Sequence, residues 1–374
     1  MGRAAPGSQR ACPVKVSERN KMPGRVLIIG SFLGNAPLER YIGGDLSIRL
    51  AAQGWQVRVT SKKINRGFRL LDMLQSVYRH SKEYDVALVE VYSGWAFFWA
   101  EVVCAALRLL RKPYVLALYG GNLPRFSQRA PVRMRRLLGS AQKVICPSAY
   151  FARQLQHVGT AIEILPYGFD LPRYHFRCRT KPCPTLVWLR AFHEIYNPTL
   201  AVETLAILSR QWPDASLQMA GPDKDGTLEQ TRRRAAQLGV AGGVTFLGRV
   251  AKPEVPGVLA AGDIFLNTTN ADGMPVSVLE ALATGLCVVS TDVGGLPDLL
   301  KHEHDSLLVR PREATLMANA VTRSLAEPGL AERLSRNARA KAEQFGWSSV
   351  LPKWLELLSG IGNGEINKAA SLPV

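Results

Sequence analysis

Short apolar runs that end in turn residues alternate along this chain with segments of helical periodicity, and this alternation occurs twice. Runs such as Arg25–Gly30 and Asp85–Val91 are typical of buried strands, and helical stretches separate them. Strands that alternate with helices predict right-handed βαβ units and a parallel sheet. The pattern pauses over a polar stretch at 171–183 and restarts at Thr185–Leu189. The sequence therefore predicts an α/β protein with two Rossmann-like, doubly wound parallel-sheet domains that face a cleft.

Turn residues and changes in composition place the expected boundaries of these domains. With 374 residues, the chain is long enough for two domains that each bury a core. A last helix near Ser348–Leu358 follows the strands of the second domain, and we expect it to cross back onto the first. The expected segments are a flexible basic arm at 1–23, an N-terminal domain at 24–170, a linker at 171–183, a C-terminal domain at 184–345, a returning helix at 346–360 and a tail at 361–374.

Basic residues are concentrated in the first half of the chain. The formal net charge is +17, of which residues 1–180 carry +18 and residues 181–374 carry −1. This asymmetry favours an anionic partner, and nucleic acid, a phospholipid surface and a phosphorylated small molecule all fit. A basic solvated face that serves solubility fits as well. The segment 62–80 mixes cations with apolar residues, which predicts either an interfacial helix on an anionic bilayer or an amphipathic helix packed on its own domain.

The apolar stretch from Val91 to Leu110 is long enough to span a bilayer, but two features argue against a span. Glu101 lies near its centre, where a charge is costly in hydrocarbon, and a strand-like run follows at 113–118. We therefore expect a buried helix between two strands. Residues 1–23 lack the apolar core of a secretory signal peptide, and six cysteines in a chain of this length do not make a disulfide framework. These features predict a cytoplasmic protein.

The segment Asn270–Gly285 carries the strongest functional signal. It follows a strand-like run, turns at Gly273 and continues as a helix from Val276, whose free backbone N–H groups can hold a diphosphate. Glu280 can accept hydrogen bonds from two hydroxyls of a ribose, and Asp272, eight residues earlier, from those of a sugar beyond the phosphates. This arrangement suits a nucleotide-sugar. The spacing alone also fits an aspartate that caps a turn and a glutamate on an ordinary helix surface.

The same segment resembles the E-x7-E motif of retaining glycosyltransferases of family 4, which have the two-domain GT-B architecture. Asp272 stands where the first Glu of the motif usually stands, and Glu280 stands at the second. The resemblance extends over roughly residues 24–358, because further segments match the family in the same order. These segments are Gly43-Gly44, CPSAYFARQL, ILPYGFDL, MAGPD, VTFLGRV, the GxP turn, EALATG, VVSTDVGGLPDLL and LLVRP.

The resemblance implies roles for the second domain, where the family binds the nucleotide-sugar donor. Arg190 matches the Arg of the family's G-R-x-x-x-x-K segment, and its guanidinium would grip the diphosphate. The family's Lys is missing, because residues 195–197 are Ile, Tyr and Asn; His193 and Glu194 either substitute for it or only line the loop. The implied donor-binding positions are Gly43, Gly44, Gly221, Arg249, Val250, Gly273, Met274, Pro275, Val276 and Glu280.

The resemblance implies acceptor binding by the first domain. Gly43 and Gly44 would let the backbone approach the donor, although they also fit a simple helix-entry turn. Tyr119 stands where many relatives carry a His near the sugar-bearing carbon, so it either donates a hydrogen bond there or packs in the loop. Asn122 and Arg125 are candidates on the acceptor side. The implied catalytic residues are Arg190, Asp272, Glu280 and Tyr119.

The activity implied by the resemblance is transfer of a hexose from a UDP- or GDP-sugar to a hydroxyl of a glycan or lipid-linked acceptor. The family retains the anomeric configuration and needs no metal or cofactor. Such an enzyme would serve polysaccharide or glycolipid biosynthesis, with an anionic membrane surface on the cytoplasmic side as a further candidate partner.

Three alternatives to this activity stay open. The missing Lys favours a non-catalytic relative that binds nucleotide-sugar. A nucleic-acid-binding protein fits the charge, but no helix-turn-helix, RRM or zinc-finger pattern is present, so we expect no nucleic acid partner. A Rossmann oxidoreductase fits the fold, but the loop GSFLGN lacks the third Gly at the required spacing.

Overall fold

The computed structural model describes residues 24–31 and 42–362 of the chain. The strands in these residues form two six-stranded sheets in which every strand pairs in parallel with its neighbours. We call the part built on the first sheet the first lobe and the part built on the second sheet the second lobe. The predicted fold class is confirmed. The expected arm lies outside the described residues, and so does the expected tail except for its first two residues, Ile361 and Gly362, which belong to the last helix, Trp347–Gly362.

The first lobe alternates strands and helices, and its two central strands are apolar on both faces. All residues of the strands Val86–Val91 and Tyr114–Leu118 are buried, because helices cover both sides of the sheet. The strands are β1 (Arg25–Ile29), β2 (Gln56–Thr60), β3 (Val86–Val91), β4 (Tyr114–Leu118), β5 (Lys143–Cys146) and β6 (Glu163–Ile164). The helices are α1 (Ile42–Ala52), α2 (Arg66–Arg79), α3 (Trp95–Leu109), α4 (Leu123–Arg129), α5 (Pro131–Leu138) and α6 (Ala149–Leu155).

The second lobe repeats this plan. The segment expected as a linker packs on it, since the guanidinium of Arg179 is fully buried beside Asp263. The strands are β7 (Thr185–Leu189), β8 (Ser216–Ala220), β9 (Val244–Gly248), β10 (Ile264–Asn267), β11 (Cys287–Thr291) and β12 (Leu307–Val309). The helices are α7 (Pro198–Leu208), α8 (Thr227–Gln237), α9 (Val255–Ala260), α10 (Val276–Thr284), α11 (Leu296–Leu299), α12 (Ala314–Ala326), α13 (Leu330–Glu343) and α14 (Trp347–Gly362).

Each sheet reverses the direction of its strand order at one place. The order in the first sheet is β2-β1-β3-β4-β5-β6, so the reversal lies between β1 and β3. The order in the second sheet is β12-β11-β10-β7-β8-β9, so the reversal lies between β7 and β10. Ligands of open α/β sheets bind outside the carboxyl ends of the strands at such a switch point. The fold therefore points to two places, one in each lobe.

Two helices bear on the sequence predictions. Helix α14 packs on the first lobe although it follows the second, because Val350, Trp354 and Leu358 share a core with strands of the first sheet. Helix α3 lies between β3 and β4 with Phe97 and Val103 in the core, as the buried-helix interpretation of this apolar stretch predicted. Among the described residues, no helix combines the length and apolar character that crossing a membrane requires.

The start of helix α1 differs from the sequence prediction. The helix-entry turn considered for the two glycines would precede the helix, but α1 already begins at Ile42, so Gly43 and Gly44 lie in its first turn. The physical reason is a cap: the backbone N–H of Gly43 donates a hydrogen bond to the carboxyl of Glu90, which supplies an acceptor that the helix start lacks.

Candidate functional site

The switch point of the second lobe brings Arg190 next to Asp272. Arg190 follows the last residue of β7, and Asp272 lies in the loop after β10, which is the neighbouring strand. Their side chains form an ion pair, and both are mostly buried. The sequence predicted two separate partners for them, a diphosphate and a sugar. The structure places the carboxylate directly on the guanidinium, and their roles toward a ligand stay predictions.

The surroundings of this pair hold both groups in place. The guanidinium carbon of Arg190 lies 4.0 Å from the ring centroid of Tyr196. Burial raises the pKa of Asp272, while Arg190 and the backbone N–H groups of Gly273 and Met274 oppose the rise. Two of the N–H groups expected to meet a phosphate therefore donate to Asp272 instead. The Nε atom of Arg190 is buried and has no hydrogen-bond partner among the described residues, which leaves one donor for an anion.

Helix α10 points its amino end at the same place. Pro275 caps it with an extended backbone, and the first turn leaves donors for an anion. Within the described chain, the hydroxyl of Ser277 is also buried without a partner. The sequence reasoning missed Ser277, although a polar residue at the second helical position after a GxP turn was a usable signal. Two unpartnered buried polar groups beside one helix end favour a polar ligand, because such groups are costly when they stay unpaired.

A glycine pair fixes the turn that carries Asp272. A Cβ atom on Gly294 would overlap the carbonyl oxygen of Asp272, and one on Gly295 would overlap that of Gly273. The N–H of Gly295 donates to the Asp272 carbonyl over 2.9 Å. The two loops therefore pack backbone to backbone, which only glycine permits at these positions.

Glu280 is buried and faces a cavity between the lobes. Its carboxylate accepts a hydrogen bond from the hydroxyl of Tyr174 over 2.6 Å. Burial raises the pKa of Glu280, while the Tyr174 hydroxyl and Lys252 oppose the rise. The cavity has a volume of about 230 Å³, and α1 contributes Arg49 to its wall. The interpretation of Glu280 as an ordinary surface residue of a helix is therefore wrong.

A second cavity, of about 220 Å³, is lined by Arg190 and Tyr196. Two positions from the sequence prediction, Gly221 and Val250, line it. Gly221 adopts φ +152°, and a Cβ there would overlap the carbonyl oxygen of Arg190, so glycine is required for this close approach. Arg249 precedes Val250 and is exposed.

The region of the missing lysine is a packed loop. His193 accepts a hydrogen bond from the N–H of Ile195, and the N–H of Glu194 donates to Asp225. These two residues line the loop, as one of the two interpretations predicted. In the segment where the resemblance implies a lysine, the ring of Tyr196 stacks against the guanidinium of Arg190.

The first-lobe candidates lie around the carboxyl ends of β3 and β4. The ring of Tyr119 is buried between Tyr92 and Tyr167, with centroid distances of 5.8 and 5.5 Å. Asn122 and Arg125 are exposed at the start of α4. The sequence reasoning missed Glu90, whose signal was a single acid in the otherwise apolar strand β3.

Family models match both lobes. One, described as Glycosyltransferase Family 4, matches residues 44–173, and one, described as Glycosyl transferases group 1, matches residues 183–327. Together they cover nearly three quarters of the chain.

Curated relatives point the same way. A teichuronic acid biosynthesis glycosyltransferase, TuaC of Bacillus subtilis, is 30% identical over 61% of this chain and 60% of its own length. A GDP-mannose-dependent phosphatidylinositol monomannoside mannosyltransferase of Mycobacterium tuberculosis is 29% identical over 54% of this chain and 56% of its own. The chain thus spans less than two thirds of the length of these relatives.

Solved structures share the fold. Sucrose-phosphate synthase of Thermosynechococcus elongatus superposes with a TM-score of 0.71 at 17% identity, over 91% of this chain and all of that one. HepE of Anabaena, solved in complex with UDP, gives 0.71 at 19% identity, over 90% of this chain and all of that one. The two-lobed architecture is the GT-B fold, and the chain is similar to glycosyltransferases along both lobes, since the family 4 model matches the first lobe and the group 1 model matches the second.

Proposed function

We propose that this protein is a retaining glycosyltransferase that moves a hexose from a UDP- or GDP-sugar to a hydroxyl of a glycan or lipid-linked acceptor. One observation carries the proposal: Arg190 Nε and Ser277 Oγ, both buried and without partners in the described chain, lie at the switch point beside the amino end of α10. A diphosphate would satisfy both donors and meet the positive end of the helix.

The residues of the site suit the steps of such a transfer. Arg190 and the amino end of α10 would stabilise the nucleoside diphosphate as its bond to the sugar breaks. Glu280 would accept the ribose hydroxyls, and Asp272 would orient hydroxyls of the sugar while it keeps Arg190 in place. The acceptor hydroxyl would attack from the face that the diphosphate leaves, so that the configuration is retained. In this scheme the cationic side chain and the helix end do the work of a metal.

The relatives support the choice of donor. The relatives include a GDP-mannose-dependent mannosyltransferase, and structures of HepE contain UDP and UDP-glucose. Both nucleotides therefore belong in the first screen.

Binding of nucleotides tests the proposal directly. We expect UDP or GDP to raise the melting temperature of the protein more than ADP does. Arg190→Ala and Glu280→Gln should each abolish this shift, and Ser277→Ala should reduce it. Arg336→Ala is the matched control, because Arg336 lies exposed on α13 of the same lobe and pairs with its helix neighbour Glu332. Equal shifts in all four variants would exclude this site as the donor site.

A second candidate function is binding of a nucleotide-sugar without transfer. The observation that favours it is the Tyr196 ring under Arg190, where a lysine would add a second positive charge. Release of free UDP or GDP from the sugar nucleotide distinguishes the two functions. Binding without release, with every acceptor offered, would select the non-catalytic one.

We also propose that the first lobe docks on the cytoplasmic face of an anionic membrane. The exposed apolar residues Ile64, Phe68, Leu71, Trp95 and Phe98 form what we call the apolar rim. It lies at the starts of α2 and α3, which follow the carboxyl ends of β2 and β3, so the rim adjoins the edge of the sheet that holds the switch point. Lys62, Lys63 and Arg66 lie in the same stretch and would meet anionic headgroups.

Flotation with liposomes tests the docking. We expect the protein to float with vesicles that contain phosphatidylglycerol at low salt, and Phe68→Glu or Trp95→Glu to abolish flotation. Leu109→Glu is the matched control, because Leu109 is 77% exposed but lies at the opposite end of α3. Two outcomes would reject the docking surface. One is that both rim variants still float, and the other is that the unchanged protein does not float.

A further inference from the structure

A single 3₁₀ turn, Glu194–Tyr196, brings an aromatic ring against the guanidinium of Arg190. The turn lies between β7, which ends just before Arg190, and α7, which begins at Pro198. The guanidinium carbon is 4.0 Å from the centre of the Tyr196 ring. In residues 24–31 and 42–362, every other cation that stacks on a ring is farther from it. The contact is therefore the tightest of its kind in the described chain.

The loop after β10 holds this turn in place. The hydroxyl of Thr268 donates to the carbonyl oxygen of Tyr196 over 2.7 Å, and the N–H of Asn270 donates to that of Ile195 over 2.7 Å. Thr268 is completely buried, and its hydroxyl accepts a hydrogen bond from the indole N–H of Trp188 over 2.9 Å. The backbone that carries the ring is therefore connected to the core of the second lobe by two successive hydrogen bonds.

The same loop carries the other group that restrains Arg190. Asp272 lies four residues after Thr268 and pairs with the Nη2 end of the guanidinium. A carboxylate at one end and a ring on one face leave the guanidinium few orientations. Its Nε atom is buried and has no hydrogen-bond partner in the described chain. A donor that is oriented before an anion arrives binds it at a lower cost in side-chain freedom.

We propose that Tyr196 is a positioning residue of the donor site, whose ring keeps Arg190 in the orientation in which Nε donates to the diphosphate. This inference rests on the proposed transferase function. In this role the ring acts through Arg190 and does not contact the nucleotide.

A direct contact with the nucleotide is the competing role for the same ring. Tyr196 lines the cavity of about 220 Å³, where its ring could stack on a nucleoside. The two roles differ in the part of the nucleotide whose binding depends on the ring. The phosphates depend on it if the ring positions Arg190, and the nucleoside depends on it if the ring stacks on the base.

NMR of the arginine side chains tests the contact in the full chain without nucleotide. A proton that faces an aromatic ring resonates upfield, so we expect an upfield Nε–H signal for Arg190, assigned by its loss in Arg190→Lys. Tyr196→Phe should keep this shift, because the ring remains, and Tyr196→Leu should abolish it. An Arg190 signal that is the same in Tyr196→Leu and the unchanged protein would overturn the proposal.

Nucleotide affinity then tests the function of the contact. By calorimetry, Tyr196→Leu should bind UDP, or GDP if the chain prefers it, about tenfold more weakly, and Tyr196→Phe should stay within about twofold. Saturation transfer to the matching nucleoside, uridine or guanosine, should be the same in both variants as in the unchanged protein. Two results would overturn the proposal: diphosphate affinity that does not change in Tyr196→Leu, and a loss of nucleoside binding that equals the loss of diphosphate binding.

Variants of the supporting hydroxyl separate positioning from general stability. Thr268→Val should weaken UDP or GDP binding about threefold, and Thr268→Ser, which keeps the hydroxyl, should restore it. Thr204→Val is the control for a buried hydroxyl, because Thr204 donates to Leu200 within α7. Phe246→Leu is the control for a ring, because Phe246 lies 4.9 Å from the guanidinium carbon of Arg232 in the same lobe.

Neither control should change the nucleotide affinity. Equal losses in the controls, or a Thr268→Ser protein that binds as weakly as Thr268→Val, would overturn the proposal, because affinity would then follow stability. Absence of UDP and GDP binding by the unchanged, folded protein would count against the proposed function. The NMR signal of Arg190 would still decide whether Tyr196 fixes its guanidinium.

Discussion

The two lobes share one topology but treat the polar residues at their switch points differently. In the second lobe, Arg190 and Asp272 form an ion pair, and two backbone N–H groups donate to Asp272. In the first lobe, the carboxyl of Glu90 accepts from the N–H of Gly43, and its Oε1 atom has no hydrogen-bond partner within 24–31 and 42–362. A paired charge keeps its partner in place when buried, whereas an unpaired acid tends to become neutral. The difference indicates a paired charge at the site in the second lobe and a carboxyl that exchanges its proton near neutral pH at the site in the first.

The largest expected difference between the two lobes is in how replacement of a glycine by alanine changes the free energy of unfolding. In Gly221→Ala, the new Cβ would overlap the carbonyl oxygen of Arg190 at a φ of +152°, so we expect a loss of about 3–5 kcal/mol in the free energy of unfolding. In Gly44→Ala, no described atom lies within 4 Å of the new Cβ, and a helical alanine should gain about 0.5–1 kcal/mol. Urea unfolding measures both values.

The Gly44 variant also separates structure from function. If its backbone approaches the donor, as the resemblance implies, the more stable variant should lose transfer activity. A Gly44→Ala protein that is less stable than the unchanged one would contradict the helical first turn of α1.

The lone acid of the first lobe should make stability depend on pH. The pKa of Glu90 is about 7 in the folded chain, against an ordinary value of 4.5. Below pH 4.5 both the folded and the unfolded chain hold the proton. Between pH 4.5 and 7 only the unfolded chain releases it, so the folded state loses up to about 3 kcal/mol as pH rises. Glu90→Gln should therefore stabilise the protein by that amount at pH 8 and leave it unchanged at pH 4.

Urea unfolding of both proteins at the two pH values measures this difference. The second-lobe acid Asp272 has Arg190 as a partner, so Asp272→Asn should destabilise the protein at pH 8 instead. A Glu90→Gln variant with the same stability difference at pH 4 and pH 8 would contradict a buried, titrating acid.

The sequence predicted the strands of the two sheets better than the side-chain contacts that form beyond the carboxyl ends of those strands. Alternating apolar runs located strands such as β1 and β7, because buried strands show in the local pattern. The motif located Asp272 and Glu280, but spacing does not reveal that Asp272 binds Arg190, 82 residues earlier. The early start of α1 depends on Glu90, which follows it by more than 40 residues. Such long-range contacts override local propensity and have no signature within one segment.

The hydrogen bond that holds Glu280 gives a smaller prediction. Tyr174 comes from the segment that connects the lobes, and its hydroxyl donates to Glu280 over 2.6 Å. Tyr174→Phe removes this donor from the buried carboxylate. The free energy that holds the carboxylate of Glu280 in its orientation then falls by about 1–2 kcal/mol. We expect roughly tenfold weaker UDP or GDP binding by calorimetry. Tyr84→Phe, which removes a buried hydroxyl from the first lobe, is the control and should leave nucleotide affinity unchanged.

The ion pair between the lobes should have the smallest effect. Arg153 on α6 of the first lobe donates to Asp298 on α11 of the second over 2.6 Å, and both side chains are partly exposed. Solvent and salt screen such a pair, so Arg153→Ala should change the free energy of unfolding by less than about 1 kcal/mol. The pair matters more for the site, because α11 follows the glycine pair that packs on Asp272 and Gly273.

We therefore expect Arg153→Ala to weaken nucleotide binding about twofold at low salt and not at 0.5 M NaCl, by calorimetry. Arg133→Ala is the control, since Arg133 pairs with Glu101 inside the first lobe. A loss that persists at high salt would mean that packing rather than charge transmits the effect. In that case the contact of Tyr150 with Gly295 would be the connection between the lobes that positions Asp272.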